Sequence, residues 1–358
     1  MIAPTGPTSN ANTFRALIVG LGSVGQRHAR NLRALLGDAV TLLAHRVVGS
    51  APLVSDTLAA DPSRRPEEEY EIEVFAKLDE ALNCRPDAVW ICNPTSQHLE
   101  TALRCASAGC DLFLEKPISD SCRDVDQLVT LVAERSLVVG VSSQLRFHPI
   151  LRRLKSVIER RELGAPLAVR AEVGEYLPGF HPYEDYRFSY AARRSLGGGV
   201  VLTLIHDLDY LIWAFGFPRR IYAIGGNLSS LEVDVDDVAS ILMECRVENM
   251  ILPVHLQMDY VRRPPRRSCN VLCDGGSVDI DLRTNRLQLT DSRGQIVEVV
   301  ETETFDRNQL FLDQMTDFLD ARRLRRPPSV TLNDGIQALR AADAVRASML
   351  NNSLVELP

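Results

Sequence analysis

Short apolar runs alternate with amphipathic stretches along the first 141 residues of the chain. Such runs are typical of parallel strands buried on both faces. They predict strands at 14–19, 40–44, 87–92, 111–115 and 137–141. The stretches 24–36, 97–108 and 121–134 predict helices, of which the first ends at Gly37 and the last begins at Ser121. Because strands and helices alternate at this length, the pattern predicts βαβ crossovers and a doubly wound parallel sheet.

After about residue 145 the pattern changes to a period of two. Alternating apolar and polar residues predict strands at 167–173, 239–245, 250–258, 277–282, 286–290 and 295–300. Helices are predicted at 147–161, 308–321 and 333–350. This half of the chain therefore predicts an α+β domain with a large, open, mostly antiparallel sheet, one face of which is covered.

The two patterns place a domain boundary near residue 145, with a first domain at 14–145 and a second at 146–358. The length of 358 residues agrees with two domains at about 150 residues each. Residues 1–13 have neither a basic nor an apolar segment and are predicted to form a flexible tail. The stretch 49–70 is rich in Pro, Ser and Glu, which predicts an exposed insertion.

Composition excludes several classes of protein. The formal net charge of −7 argues against a general nucleic-acid binder. The sequence has no run of 18 apolar residues, so no membrane span is expected. Its eight cysteines include no CxxC pair and no histidine at finger-like spacing. We interpret them as reduced core residues in a cytoplasmic protein, with no metal site.

The sequence GLGSVG directly follows the first predicted strand and opens the first predicted helix. Gly20 permits a tight turn, Gly22 lets the backbone approach a pyrophosphate, and Gly25 lets the helix pack close to the strand. Backbone N–H groups at the helix start, at Ser23 and Val24, then face the phosphates. In this context the motif predicts a dinucleotide site.

The identity of the dinucleotide is less well specified by the sequence. NAD binding usually requires a carboxylate about 20 residues further on, to hold the ribose 2′-hydroxyl. Here the second strand ends in Ala44, His45 and Arg46, without an acid. The guanidinium of Arg46 suits the 2′-phosphate of NADP, so the sequence favours NADP slightly over NAD.

A lysine follows the fourth predicted strand in the sequence Glu115-Lys116-Pro117. Ligands of parallel sheets bind at the carboxyl ends of the strands. The ammonium of Lys116 is therefore expected to lie where nicotinamide and a substrate hydroxyl meet, and burial there would lower its pKa for proton transfer. A solvated surface lysine before a proline is the alternative.

Several segments together resemble the Gfo/Idh/MocA family of glucose–fructose and inositol-type oxidoreductases. They are GLGSVGQRH, NPTSQH (93–98), AGCDLFLEKP (108–117), QLRFHP (144–149) and the stretch 181–216 with its HDLD sequence. The resemblance covers about 20–300 and implies a Rossmann domain followed by a domain with a large open sheet. It also implies an oxidoreductase that transfers a hydride between NAD(P) and a sugar, sugar acid or cyclitol.

The resemblance also implies roles for individual residues. Lys116 would bind substrate and relay a proton, often beside a cis Lys–Pro bond. His206 corresponds to the histidine of the family's HxxD pattern and would act as general base, with Asp209 on the same predicted helix, 200–215. Residues expected to line the substrate cleft are Arg146, Tyr186, Arg187, Tyr190, Thr203 and Asp209. Residues expected to contact the cofactor beside the phosphate loop are Asn93, Pro94, Thr95, His98, Glu115 and Lys116.

One position departs from the family pattern. Thr203 stands where the family usually has an aspartate, and a threonine can bind a sugar hydroxyl but carries no charge. Two alternatives to the dehydrogenase therefore stay open: a dinucleotide-binding regulator without turnover, and an NAD-dependent glycosidase. The free face of the second sheet predicts a homodimer or homotetramer, the usual arrangement in the family.

Overall fold

The computed structural model describes residues 13–358 except 48, 50, 248, 249 and 303. The predicted tail at 1–13 lies outside the described residues apart from Thr13. Two large sheets organise the chain, one built by residues before 142 and the other by residues after 165. The predicted fold class, a Rossmann sheet followed by a mostly antiparallel sheet, is confirmed.

The N-terminal half alternates strands and helices. Its strands are β1 (Phe14–Val19), β2 (Val40–His45), β3 (Leu53–Val54), β4 (Ala60–Asp61), β5 (Ile72–Phe75), β6 (Ala88–Ile91), β7 (Asp111–Leu114) and β8 (Val139–Val141). Its helices are α1 (Ser23–Leu36), α2 (Pro66–Glu69), α3 (Leu78–Asn83), α4 (His98–Ser107) and α5 (Val125–Glu134). The N-terminal sheet is parallel in the order β5-β2-β1-β6-β7-β8. The strand order reverses beside β1, where the phosphate loop lies.

The C-terminal half builds the second sheet. Its helices are α6 (Pro149–Arg160), α7 (Val200–Thr203), α8 (His206–Phe215), α9 (Arg307–Leu324) and α10 (Leu332–Asn351). Its strands are β9 (Pro166–Gly174), β10 (Arg220–Gly226), β11 (Val238–Val247), β12 (Met250–Asp259), β13 (Arg266–Cys273), β14 (Gly276–Asp281), β15 (Arg286–Asp291), β16 (Ile296–Glu301) and β17 (Val355–Glu356). The order is β16-β15-β14-β13-β9-β12-β11-β10-β17, antiparallel except between β9 and β12. Buried residues alternate with exposed ones along these strands, so one face packs on helices and the other faces outward.

Helix α9 belongs to the C-terminal half of the chain but packs on the N-terminal sheet. Phe318 on this helix is buried against Trp90 and Phe113 of the N-terminal sheet, with ring centroids 5.6 and 5.2 Å away. Gly140 on β8 leaves room for it, since a Cβ there would lie 3.0 Å from the Phe318 ring. The C-terminal segment thus closes the core of the N-terminal sheet as well as its own.

Several predicted elements differ in detail from the structure. The helix expected from Ser121 begins at Val125, because the preceding Asp124 has a left-handed backbone conformation. Among the described residues, the side chain of Asp124 does not cap this helix. The helix expected over 200–215 is two helices that break at Leu204 and Ile205. Strands β10 and β13 were not predicted; polar residues interrupt the apolar alternation at the start of β13.

The expected exposed insertion at 49–70 is partly packed. Its β3–β4 hairpin is bound by the buried side chain of Gln26, which donates to Pro52 O at 3.0 Å and accepts from Val54 N at 2.8 Å. Leu53 and Val54 are buried, and Pro66 begins α2 in a buried position. The segment therefore holds the start of α1, directly beside the phosphate loop.

In the part of the chain that is described, no single helix has the length and apolar content needed to cross a membrane. One pair of helical segments joined by a bend, 194–203 and 206–215, meets these two requirements, on length and composition alone. All eight cysteines are unpaired, and five of them are buried.

Candidate active site

The phosphate loop joins β1 to α1 at the centre of the N-terminal sheet. Gly20 has φ +97°, and a Cβ there would lie 2.7 Å from the carbonyl oxygen of Cys92. A Cβ on Gly25 would lie 1.9 Å from the carbonyl oxygen of Gly20. Both positions therefore require glycine, because the loop, β6 and α1 approach each other too closely for a side chain.

Gly22 is different, because a Cβ there would meet nothing within 4 Å in the part of the chain described. It is the N-cap of α1, and no side chain among the described residues caps the first N–H groups of that helix, at Ser23 and Val24. An open backbone beside an uncapped helix N-terminus fits a dinucleotide pyrophosphate. Tyr183 reaches the same loop and bonds Ser23, which no sequence pattern indicated.

Arg46 follows β2, where the ribose of a dinucleotide is expected. It does not stand alone: its Nη2 lies 3.0 Å from Oε1 of Glu67 on α2. Glu67 belongs to the stretch predicted as an exposed insertion, so a later segment brings a carboxylate to the end of β2. The pair holds the pKa of Glu67 below its usual value, although burial opposes this.

The loop after β6 is held by His98, whose two ring nitrogens both face backbone carbonyls. Nδ1 lies 2.6 Å from Pro117 O and Nε2 lies 2.7 Å from Asn93 O. Burial lowers the pKa of His98. His98 therefore ties the 93–98 loop to the lysine segment, and no free ring nitrogen remains for the cofactor contact that was predicted. The side chain of Asn93 donates to Thr101 Oγ1 at 2.9 Å.

The predicted cofactor residues Pro94 and Thr95 lie in the same loop. Pro94 precedes a short 3₁₀ turn at 95–97, and Thr95 is buried beneath the loop that carries Gly197. A Cβ on Gly197 would lie 2.8 Å from Cβ of Thr95. The glycine triplet 197–199 is thus crowded by protein atoms.

Lys116 follows β7 at the C-terminal edge of the sheet, and its bond to Pro117 is cis, as the resemblance implies. Its Nζ donates to the carbonyl oxygen of Thr203 at 2.7 Å. Burial, with the nearby cations Arg267 and Arg307, lowers the pKa of Lys116 to about 8, although Glu115 opposes this. Lys116 is thus an ammonium near neutral pH that gives up its proton easily.

Glu115 is buried directly before this lysine and pairs with His28 of α1, at 2.7 Å between Nε2 and Oε1. Against the effect of burial, His28 and Lys116 hold the pKa of Glu115 below its usual value. The side chain of Glu115 therefore contacts His28, and the cofactor contact predicted for it has no support in this position. The carboxylate stays charged and links the phosphate-loop helix to the lysine.

His206 begins α8 and is 7% exposed. Its Nδ1 is buried without a hydrogen-bond partner among the residues described. Burial, followed by Lys116, Arg267 and Arg307, holds the pKa of His206 well below its usual value. The imidazole is therefore neutral near pH 7 and has a nitrogen available to accept a proton.

Thr203 ends α7 and lies beneath Lys116. Its carbonyl oxygen anchors the ammonium, and its buried hydroxyl lies beside that of Tyr260. Tyr190 is brought to the same place: burial, then the charge of Glu115, raises the pKa of its hydroxyl to about 12. Of the predicted cleft residues, Thr203 thus contacts Lys116, and Tyr190 lies near Glu115, the residue before it.

Arg146 and Asp209 differ from the prediction that they face a substrate. They bind each other through two contacts, Nη2–Oδ1 at 2.6 Å and Nε–Oδ2 at 3.0 Å. Arg146 also reaches Asp334 Oδ1 at 2.8 Å. The guanidinium is 5% exposed and is neutralised by two carboxylates, so the pair joins the 144–147 turn to α8 and α10.

Arg187 and Tyr186 lie at an outer rim. Arg187 is exposed and pairs with Asp185 at 2.6 Å and Glu232 at 3.4 Å. The hydroxyl of Tyr186 accepts from the backbone N–H of Glu232 at 3.2 Å. These residues bind each other across the rim, and the contact with substrate predicted for them has no support in their positions.

Three charged residues near His206 were missed from the sequence. Asp207 is fully buried, and its Oδ2 lies 2.9 Å from Nη2 of Arg267 on β13. Burial raises the pKa of Asp207. Arg307, the first residue of α9, lowers the pKa values of Lys116 and His206 together with Arg267. The sequence could have indicated Arg267, because residues two apart in a strand share one face. Arg267 therefore lies on the same face of β13 as Cys269 and Val271, which are buried.

Within the described ranges, no group of three or more His, Cys, Asp or Glu side chains is arranged to hold a metal ion.

Comparisons with known proteins agree with this arrangement. A family model described as an oxidoreductase family with an NAD-binding Rossmann fold matches residues 14–143, and the GFO/IDH/MocA C-terminal domain matches 151–279. Myo-inositol 2-dehydrogenase of Thermotoga maritima is 26% identical over 354 residues, covering 96% of this chain and 98% of the relative. UDP-N-acetylglucosamine 3-dehydrogenase of Acidithiobacillus ferrooxidans is 27% identical and covers 94% of this chain and 97% of the relative.

Among solved structures, GenD2 from gentamicin A biosynthesis in complex with NAD superposes with a TM-score of 0.78 at 20% identity. All of both chains is covered. At this identity the likeness concerns the fold alone.

Proposed function

Because this chain belongs to the Gfo/Idh/MocA family of oxidoreductases, we propose that it interconverts a secondary alcohol and a ketone on a sugar, sugar acid or cyclitol. Two relatives support this substrate range, since one is named for myo-inositol and the other for a nucleotide sugar. When bound, the nicotinamide of the dinucleotide accepts or supplies the hydride. The residues Gly20, Gly22 and Gly25, with the backbone of Ser23 and Val24, would hold the dinucleotide.

The observation that carries the proposal is the nearness of Lys116 to His206, whose pKa the lysine helps to lower. One is an ammonium whose pKa is lowered to about 8, and the other is a neutral imidazole with an unpartnered nitrogen in the described part of the chain. A donor and an acceptor in one cleft suit a hydroxyl that loses or gains a proton as its carbon is oxidised or reduced. Lys116 would bind the reacting oxygen, and His206 would take the proton in the direction of oxidation.

For the cofactor, Arg46 and Glu67 act in opposite directions. Arg46 offers a guanidinium to the 2′-phosphate of NADP, and we keep NADP as the slightly favoured cofactor. Glu67 neutralises that charge and can accept a bond from the 2′-hydroxyl of NAD. We therefore expect both dinucleotides to bind with a small difference in affinity.

The outward face of the C-terminal sheet supports a homodimer or homotetramer. Apolar side chains stand exposed on neighbouring strands there, including Tyr222, Ile224 and Leu242. A second copy of the chain would cover them. A cytoplasmic location is part of the same proposal and rests on the eight unpaired cysteines.

The experiment that tests the function is a screen of sugars, sugar acids, nucleotide sugars and cyclitols by NAD(P)H absorbance. Lys116→Ala is expected to lower kcat on a confirmed substrate by about 100-fold or more, because proton transfer by a positioned group contributes on that scale. Its affinity for NADH, measured by fluorescence, should stay within about twofold. Unchanged turnover would overturn the assigned role of Lys116.

Dinucleotide binding without turnover on any member of the panel would favour the regulator instead. Thr203, which brings no carboxylate to the cleft, is the residue on which that alternative rests.

A further inference from the structure

A buried histidine–carboxylate pair lies next to Lys116. His28 on α1 is fully buried, Glu115 is 8% exposed, and their Nε2 and Oε1 atoms are 2.7 Å apart. Glu115 directly precedes Lys116 in the chain, but the two side chains have different partners. Glu115 binds α1, whereas Nζ of Lys116 donates to the carbonyl oxygen of Thr203. The carboxylate therefore acts on the ammonium through its charge, while a different group receives the hydrogen bond of the lysine.

The ring of His28 is held in one orientation by aromatic neighbours. It lies edge-on to Phe113 on β7 and to Phe311 on α9, with ring centroids 5.4 and 6.5 Å away. Arg27 covers the Phe311 ring, with its Cζ 4.7 Å from the ring centroid. Because the imidazole is packed on two sides, a rotation that moved Nε2 away from Glu115 would break these contacts. The pair is thus a fixed feature of the core, and it links α1, which begins at the phosphate loop, to the lysine segment.

A second donor reaches the same carboxylate. Ser142, which follows β8, bonds Glu115, and its Oγ accepts from Nε2 of Gln314 on α9 at 3.2 Å. Ser142 and Gln314 are both buried. Other groups whose charge interacts with this carboxylate are Arg27, Cys92, His98, Lys116 and Tyr190. Since a buried carboxylate stays charged when donors replace the water that it has lost, His28 and Ser142 account for the lowered pKa of Glu115.

Stability alone does not explain a charged pair at this position. A buried ion pair is often no more stabilising than well-packed apolar side chains of similar volume. A functional reason is the effect of Glu115 on its neighbour, because among the charges that act on Lys116 it is the strongest and it favours the ammonium. The other charged or titratable groups that act on this lysine are Arg267, Arg307, Asp207 and His206. Of these, Asp207 is the other carboxylate, and it is already paired with Arg267.

We propose that Glu115 and His28 are positioning residues for Lys116: Glu115 supplies the negative charge that keeps the lysine protonated, and His28 holds Glu115 in place and charged. Neither side chain touches the substrate, and both act through the lysine. Their part in turnover rests on the proposed function, because it requires Lys116 to bind the reacting oxygen as an ammonium. The protonation of Lys116 is measured without a substrate, so the two proposals are tested separately.

The test follows the protonation of Lys116 by competitive acetylation, without added dinucleotide. Acetic anhydride in trace amount reacts with a neutral amine and not with an ammonium, and mass spectrometry of the peptides gives the extent of reaction at each pH. The chain has three lysines, Lys77, Lys116 and Lys155, so their peptides are readily distinguished. In the parent protein, labelling of Lys116 should rise with a midpoint at a pH of about 8. Lys77, whose side chain is 77% exposed, is the internal reference and should react alike in parent and variants.

Glu115→Gln removes the charge and keeps an oxygen that accepts from His28, so this variant should fold. The midpoint for Lys116 should fall by about one pH unit, because a neighbouring opposite charge shifts a pKa by that amount or more. Asp111→Asn is the matched control. Asp111 is also a buried carboxylate, at the other end of β7, where it pairs with Arg325 at 2.8 Å. This variant should leave the midpoint of Lys116 unchanged.

His28→Phe keeps a ring among the aromatic neighbours and removes the donor. The carboxylate of Glu115 then loses its direct partner and its pKa rises, so the midpoint for Lys116 should fall as it does in Glu115→Gln. His28→Gln, which places an amide N–H near the position of Nε2, should restore the parental midpoint. The double variant His28→Phe with Glu115→Gln should shift no further than Glu115→Gln, because both changes act through one carboxylate.

The outcomes separate the possible errors. A parental midpoint in Glu115→Gln, or an equal fall in Asp111→Asn, would overturn the role of Glu115 and with it the inference. The role of His28 is wrong if His28→Phe leaves the midpoint unchanged, if its shift adds to that of Glu115→Gln, or if His28→Gln behaves as His28→Phe does. Should His28→Phe fail to fold, His28→Asn, whose shorter amide does not reach Glu115, decides the same question. A parent that shows the expected midpoint but turns over no member of the substrate panel would contradict the proposed function and leave the effect of Glu115 on Lys116 standing.

Discussion

At the scale of single residues, the proposed chemistry depends on which groups of the cleft hold a proton. Burial, Arg267 and Arg307 lower the pKa of Lys116 to about 8, so most of it is charged at pH 7. Burial and the same cations keep His206 neutral. The two residues therefore act as a donor and an acceptor under one set of conditions, without a carboxylate at position 203.

The pH dependence of turnover follows from the charge on Lys116. In both directions the ammonium must hydrogen-bond the reacting oxygen while His206 takes or returns the proton, so kcat/KM should fall as the pH rises through about 8. Initial rates across pH 6 to 10, a range of about two units on either side of that pKa, measure this. In Lys116→Arg the side chain stays charged over this range, so the fall of kcat/KM near pH 8 should disappear. A fall that remains near pH 8 in this variant would show that another group titrates.

We expect the preference for NAD or NADP to depend on single residues as well, namely Arg46 and Glu67. Glu67→Gln removes the charge that neutralises Arg46, so the affinity for NADPH relative to NADH should rise by about tenfold. Arg46→Gln should shift the ratio towards NADH. Fluorescence titration of each variant with both dinucleotides gives the ratio. Equal shifts for NADH and NADPH in both variants would mean that this pair lies away from the ribose.

At the scale of elements, two glycines of the phosphate loop serve different purposes, one for packing and one for ligand binding. A Cβ on Gly25 would collide with Gly20 O, whereas a Cβ on Gly22 would meet nothing within 4 Å in the described chain. Gly25→Ala should therefore lower the Tm and the affinity for dinucleotide together, because α1 must move away from β1. Gly22→Ala should leave the Tm within about 2 °C and weaken dinucleotide binding alone. Thermal melts and NADH titrations distinguish the two, and a normal Tm in Gly25→Ala would contradict the close packing.

Elements were predictable from the sequence where local pattern decides them. The parallel strands, the phosphate loop and the lysine segment follow from apolar runs and glycine spacing, and they appear within a few residues of the expected bounds. The break between α7 and α8 and the packing of the 49–70 segment depend on tertiary contacts, which no local pattern contains. Arg307 was missed for the same reason: only the packing of α9 across the molecule brings it to Lys116.

At the scale of the whole molecule, α9 joins the two halves that the cleft lies between. Phe318 near its middle fills the core of the N-terminal sheet, while Arg307 at its start reaches the cleft. The Arg146 network ties the segment between the two sheets to the C-terminal helices, since Arg146 binds Asp209 of α8 and Asp334 of α10. The cleft is therefore built by segments far apart in sequence: Lys116 follows β7, His206 begins α8 and Arg267 lies on β13.

The open face of the C-terminal sheet makes the last prediction, which concerns assembly. Tyr222 and Leu242 lie opposite each other on β10 and β11, and Leu242 is 52% exposed. Leu242→Lys should convert the proposed homo-oligomer into smaller species in sedimentation velocity runs at micromolar concentration, because burying an unpaired ammonium costs several kcal/mol. Leu350→Lys, which changes an 82% exposed leucine at the end of α10, is the matched control and should sediment as the parent does. A parent protein that is monomeric, or a Leu242→Lys variant that stays assembled, would mean that this face is not the interface.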